Sequence, residues 1–163
     1  MRSFLMLKFG GVKMQDIFSS IEVDGVVYPF VFNLNVMELI QQEYGTLDAW
    51  GDLTDGETYT KRDFLSKNPN KTEFDWDDLD EEEKKAYKGE PDAKAVIFGF
   101  TEMINEGISI ENEKRFANGE APMSEITKRQ CGRLLTKYGL ANATKKMNQT
   151  VIESTQIDNE KNV

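Results

Sequence analysis

The dipeptide Asp24-Gly25 sits between two β-rich runs, Ile21-Glu22-Val23 and Val26-Val27-Tyr28-Pro29-Phe30-Val31-Phe32. No other feature constrains the fold of this chain as strongly. A two-residue type I′ turn needs positive φ at both central positions, which Asp and Gly accept, so the pattern predicts a β-hairpin over residues 20–32. Alternation along the second run puts Val26, Tyr28, Phe30 and Phe32 on one face, with Val27 and Val31 on the other. Pro29 has no N–H to give to a ladder, which places its strand at an edge or interrupts it there. A lone hairpin is marginal in water. The rest of the chain must supply a surface for it to lie on.

That surface is predicted to be helical. Asn33 or Asn35 offers an N-cap, Val36, Ile40 and Tyr44 recur at helical spacing, and Gly45 closes a helix over 34–45. Leu47, Trp50 and Leu53 continue as a short turn. Residues 54–78 form an irregular excursion with a turn at Asn68-Pro69-Asn70 and aromatics at Tyr59, Phe64, Phe74 and Trp76. Asp78 and Glu81 read as a capping box for a helix over 79–88. Pro91, at a first helical position, opens the most regular helix, 91–106. There Ala93, Val96, Ile97, Phe100, Met103 and Ile104 share a stripe and Gly107 terminates it. After a polar loop at 108–122, Ser124 caps a helix over 124–138 that stops at Gly139, and a last helix covers 140–153. The expectation is a mainly α (α+β) fold: one helical domain over 14–153 carrying an N-terminal β-hairpin. A leader or flexible N-terminus, 1–13, precedes it, and a flexible tail, 154–163, follows.

Composition then narrows the chemistry. The chain has no histidine and one cysteine, Cys131. Ser-His and Cys-His pairs, histidine or thiolate metal sites and an internal disulfide therefore have no residues to build them. Neither a P-loop nor a dinucleotide fingerprint is present. The acidic run Asp75 to Glu83 fails as a calcium loop, because Leu79, Asp80 and Ala86 stand where a ligand, a glycine and a glutamate belong. It reads as a solvated helix start. Cys131 falls among Leu134, Leu135 and Tyr138 and reads as a buried structural thiol. These absences point to a binding protein with no enzymatic activity, cofactor or metal. A net charge of -9 disfavours general polyanion binding and favours a partner with basic or apolar docking surface. The apolar stretch Phe4–Leu7 is too short for a secretory signal, and no run approaches the ~20 apolar residues of a membrane span.

Candidate partner-binding residues are Phe98, Met103, Arg129, Arg133, Lys137 and Met147. Phe98 lies away from the centre of its helix stripe and implies a second contact surface, inside the domain or toward an oligomer or client. Residues 124–153 pair two helices around Gly139 in the manner of a helix-turn-helix, and they are locally basic: Lys128, Arg129, Arg133, Lys137, Lys145 and Lys146. Most of these cations precede the turn, whereas a reading helix carries its contacts on the second element. A solvated face, a patch for an acidic protein partner and DNA binding all remain as readings of this region.

The order of elements carries a resemblance. The hairpin Glu22 to Pro29 is followed by a helix with Glu38-Leu39 and Tyr44-Gly45. Later come the helix Asp92 to Phe100, the segment Ile108-Ser109-Ile110-Glu111, and Met123-Ser124-Glu125 leading to Gly132-Arg133-Leu134-Leu135 and Gly139-Leu140. This pattern resembles the tail assembly chaperones of siphophages that infect Gram-positive bacteria. The excursion at 54–90 departs from the compact family pattern. The resemblance implies a helical, self-associating protein that coats the hydrophobic tape measure protein before the tail tube polymerises. It also implies residence in the host cytoplasm, absence from the mature virion, and a longer frameshifted product that contacts the tail tube protein. Nucleic acid and membrane are not among the partners it implies. Two other functions are compatible with the sequence: a phage structural protein (head–tail connector or minor tail protein), or a small DNA-binding regulator using residues 124–153.

Overall fold

A computed structural model describes residues 18–55, 64–73, 77, 79–86 and 91–155. The expected leader 1–13, part of the 54–78 excursion, the end of the helix expected over 79–88, and the tail from 156 onward lie outside the described residues. The protein is mainly helical with an N-terminal two-stranded antiparallel hairpin.

Strands β1 (Ser19–Val23) and β2 (Val26–Phe30) pair with Val23 opposite Val26 and Ser19 opposite Phe30. The turn has φ of 52° at Asp24 and 78° at Gly25, the left-handed pair that the dipeptide was expected to supply. One face turns inward, with Ile21 and Phe30 buried, while Val27 on the other is exposed. Val31 departs from the expected alternation because the chain leaves the ladder there. Its N–H donates to the Met103 carbonyl at 3.1 Å, and its side chain is buried as well.

Helix α1 (Leu34–Tyr44) starts at Asn33, whose side chain accepts from the Asn35 and Val36 amides, and ends at Gly45. Where the sequence suggests only a short turn, a full helix α2 (Leu47–Asp55) forms. The Thr46 hydroxyl caps it by accepting from Ala49 N–H at 3.0 Å, and the buried Trp50 indole donates to the Ala95 carbonyl at 3.0 Å. A helical turn at 64–67 follows. Helix α3 (Glu81–Ala86) is capped by Asp80, whose Oδ1 accepts from Glu83 N–H at 2.7 Å; the expected cap, Asp78, lies outside the described residues. That register sets three glutamates in the first turn, where the helix dipole favours them.

Helix α4 (Ala93–Ala117) is the axis of the fold, and it differs most from expectation. Asp92 caps it, accepting from Ala95 N–H, so Pro91 precedes the helix instead of opening it. Gly107 does not end it. β2 crosses α4 at that point, and a Cβ on Gly107 would lie 2.9 Å from Pro29 Cβ and 3.0 Å from the Pro29 carbonyl carbon. The glycine marks the closest approach of strand to helix. The helix continues through a segment expected to be loop, aided by the Glu111–Arg115 pair, and stops before Asn118-Gly119, where Gly119 has φ of 68°.

Residues 118–126 then run back along α4, held by two asparagines. The Asn112 side chain accepts from Met123 N–H at 2.7 Å and donates to the Met123 carbonyl at 3.0 Å. Asn105 does the same for Ile126, with both bonds at 2.9 Å. Since both peptide groups of Ile126 are engaged by Asn105, helix α5 (Lys128–Tyr138) cannot begin at Ser124. Thr127 and Gln130 form its capping box instead. Helix α6 (Leu140–Thr155) extends past the expected end at 153, with Ser154 and Thr155 buried and Thr155 Oγ1 donating to the Val151 carbonyl.

The core forms around α4, which packs against β2, α1, α2, α5 and α6. Phe100 meets Phe30 with ring centroids 4.6 Å apart and Tyr138 at 6.0 Å, which ties hairpin, axis and α5 together.

Candidate partner-binding surface

The six candidate residues divide into two groups. Met103 and Met147 are fully buried. Met147 belongs to the inward face of α6 with Ala143 and Val151, four residues apart in each direction, packed on α4. Phe98 is also buried, edge-on to Tyr44 at 5.5 Å with the Lys128 ammonium 4.9 Å from its ring centroid. The second contact surface it implied is α1, inside the protein. These three are corrected to core residues, because α4 is covered on more sides than a single stripe suggests.

Arg129, Arg133 and Lys137 are exposed. At positions i, i+4 and i+8 they make one stripe along α5. The helix reads Lys-Arg-Gln-Cys-Gly-Arg-Leu-Leu-Thr-Lys-Tyr, four cations and no carboxylate, on a chain of net charge -9. Among the described residues, Arg129 and Arg133 form no ion pair.

Beside the stripe lies an open cleft of about 360 Å³ between α5 and the turn end of the hairpin. Its floor is apolar: Val23, Tyr28, Ile126 and Leu134. Arg133 and Lys137 stand on one wall, with Asp24 at the turn facing them. Lys137 Nζ reaches Asp24 Oδ2 at 2.5 Å. The hydrogen bond to Asp24 and then its charge raise the Lys137 pKa, so the ammonium stays protonated. Both partners are largely exposed, so the pair adds little to stability. The sequence assigned Asp24 only to the turn, Tyr28 to one face of its strand and Leu134 to the surroundings of Cys131. The strand pattern alone cannot show that the turn end of the hairpin and α5 border one cleft.

No match emerged. Comparisons with family models, curated proteins and solved structures all returned none. The geometry therefore has to stand by itself.

The second helix of the basic pair offers less to a nucleic acid than its sequence suggests. Lys146 donates to the Ser19 hydroxyl and Asn148 to Asp55, which leaves Lys145 as the exposed cation of α6. Cys131 is buried with its thiol 3.8 Å from the Ile97 carbonyl, and burial pushes its pKa up. Among the described residues no group of three or more His, Cys, Asp or Glu could hold a metal ion. No described helix is long and apolar enough to cross a membrane.

Proposed function

We propose that this protein is a non-enzymatic assembly factor, a tail assembly chaperone that binds the tape measure protein and holds it soluble until the tail tube forms. The observation that carries the reading is the α5 surface: a stripe of cations, of which Arg129 and Arg133 form no ion pair among the described residues, beside an open apolar cleft on an otherwise acidic molecule. Apolar floor and charged wall together suit a helical polypeptide, which offers both kinds of contact along one face. The acidic remainder of the surface keeps such a complex soluble. The order of hairpin and helices, which resembles the siphophage chaperones, supplies the identity of the client.

Co-expression with a siphophage tape measure protein tests this. The soluble fraction of the client is expected to rise when this chain is present. A client equally insoluble with and without it ends the proposal. Recovery of this chain in finished particles would instead make it a structural component.

A further inference from the structure

The cleft has a composition that limits what can fill it. Its floor of Val23, Tyr28, Ile126 and Leu134 requires an apolar group. Its cationic wall of Arg133 and Lys137 continues beyond the cleft as Arg129, one residue per helical turn and about 6 Å apart along the axis. Carboxylates on a facing helix at i, i+4 and i+8 have the same pitch. A phosphate backbone matches less well, because it meets the Asp24 carboxylate on the rim and leaves the apolar floor uncovered.

Asp24 has a second part to play. It occupies Lys137 as the carboxylate of an incoming segment would. We infer that the cleft between the hairpin tip and α5 binds an acidic amphipathic helix through an apolar anchor, and that Asp24 is a built-in competitor for Lys137. The inference rests on the reading of α5 as a docking surface and specifies the chemistry of what docks.

The hairpin turn permits a clean test. Asp24→Asn removes the competing charge yet keeps a residue that type I′ turns prefer. The probe is a labelled amphipathic peptide with a leucine stripe flanked by glutamates at i, i+4 and i+8. Its control carries glutamine at those positions, and anisotropy is read with the full chain at low and high salt. The glutamate peptide should bind at least about tenfold tighter than the control and lose that advantage at high salt. Arg133→Glu with Lys137→Glu should cost tenfold or more, with the far-ultraviolet circular dichroism unchanged. Asp24→Asn should tighten binding severalfold.

Equal affinity for the two peptides overturns the inference, as does weaker binding by Asp24→Asn or preferential binding of a duplex DNA fragment. A client made soluble by a chain that ignores the acidic peptide removes this inference and leaves the chaperone reading. An insoluble client with a bound peptide does the reverse.

Discussion

Replacing Gly107 with alanine should destabilise this protein, although the same change in an open helix interior gains about 1 kcal/mol. The reason is position. The new Cβ would sit 2.9 Å from Pro29 Cβ, 3.0 Å from the Pro29 carbonyl carbon and 3.1 Å from Phe30 N. Carbon pairs prefer about 3.5–4.0 Å, so each contact must open by several tenths of an ångström. Two of the three neighbours are backbone atoms, held by the hairpin ladder and by the Val31–Met103 hydrogen bond. The strand would have to lift as a unit and loosen the Phe30–Phe100 contact. Overpacking of this kind costs about 1–3 kcal/mol, and stretching the hydrogen bond about 1 more. After the propensity gain, a net loss of roughly 1–3 kcal/mol remains. Gly132 in α5 is the control: its Cβ would meet Ile97 Cδ1 at 3.7 Å, an ordinary contact. Gly132→Ala should therefore stabilise by about 0.5–1 kcal/mol. Urea unfolding followed by circular dichroism reads both, with midpoints expected to move in opposite directions by a few tenths of a molar or more for about 1 kcal/mol. A Gly107→Ala midpoint at or above that of the parent chain would refute the packing argument.

Asn105→Ala should cost about 1–3 kcal/mol, since it strands both peptide groups of Ile126. Amide exchange at Ile126 should accelerate with it, and Asn112→Ala should do the same at Met123; unchanged exchange would show that the asparagines do not hold the returning segment. Tyr44 should titrate near pH 12 in an absorbance titration, its pKa raised to about 12 from the usual 10 by burial first and by Asp92 and Glu43 after it. The folded state resists deprotonation of this phenol, so the stability it contributes is complete below pH 10 and is lost as pH rises toward 12. Because the Tyr44 hydroxyl is buried without a hydrogen-bond partner among the described residues, Tyr44→Phe should be neutral or stabilising and should reduce that alkaline loss. A steeper loss in the phenylalanine variant would contradict the assignment.

Local chemistry made the hairpin and most helices legible. Asp24-Gly25, Asn33 and Gly139 act within a turn of themselves, so their sequence meaning survived folding. Errors arose where a distant partner decided the outcome. Gly107 reads as a stop until β2 is placed against it. Ser124 reads as a cap until Asn105 claims Ile126. α2 looks too short until the indole of Trp50 finds the Ala95 carbonyl. The candidate surface divided in the same way. Arg129 and Arg133 of α5 form no ion pair among the described residues and stayed outside, as did Lys137, which reaches the exposed Asp24. Phe98, Met103 and Met147 were drawn into a core whose number of layers no helical wheel reveals. The cleft joins hairpin and α5 residues that lie far apart in the chain, so only tertiary structure could disclose it.

The crossing of β2 over α4 also orders events during synthesis. Asn33 and Glu106, hydrogen-bonded at 2.8 Å, are 73 residues apart in the chain. Translation at roughly 5–20 residues per second separates their appearance by several seconds. Throughout that interval the hairpin, α1 and α2 have emerged, or are emerging, with Phe30, Phe32, Ile40 and Trp50 still lacking the helix that will cover them. The nascent chain thus exposes the same kind of apolar surface that the finished protein is proposed to shield in another. It closes that surface only when its own axis leaves the ribosome.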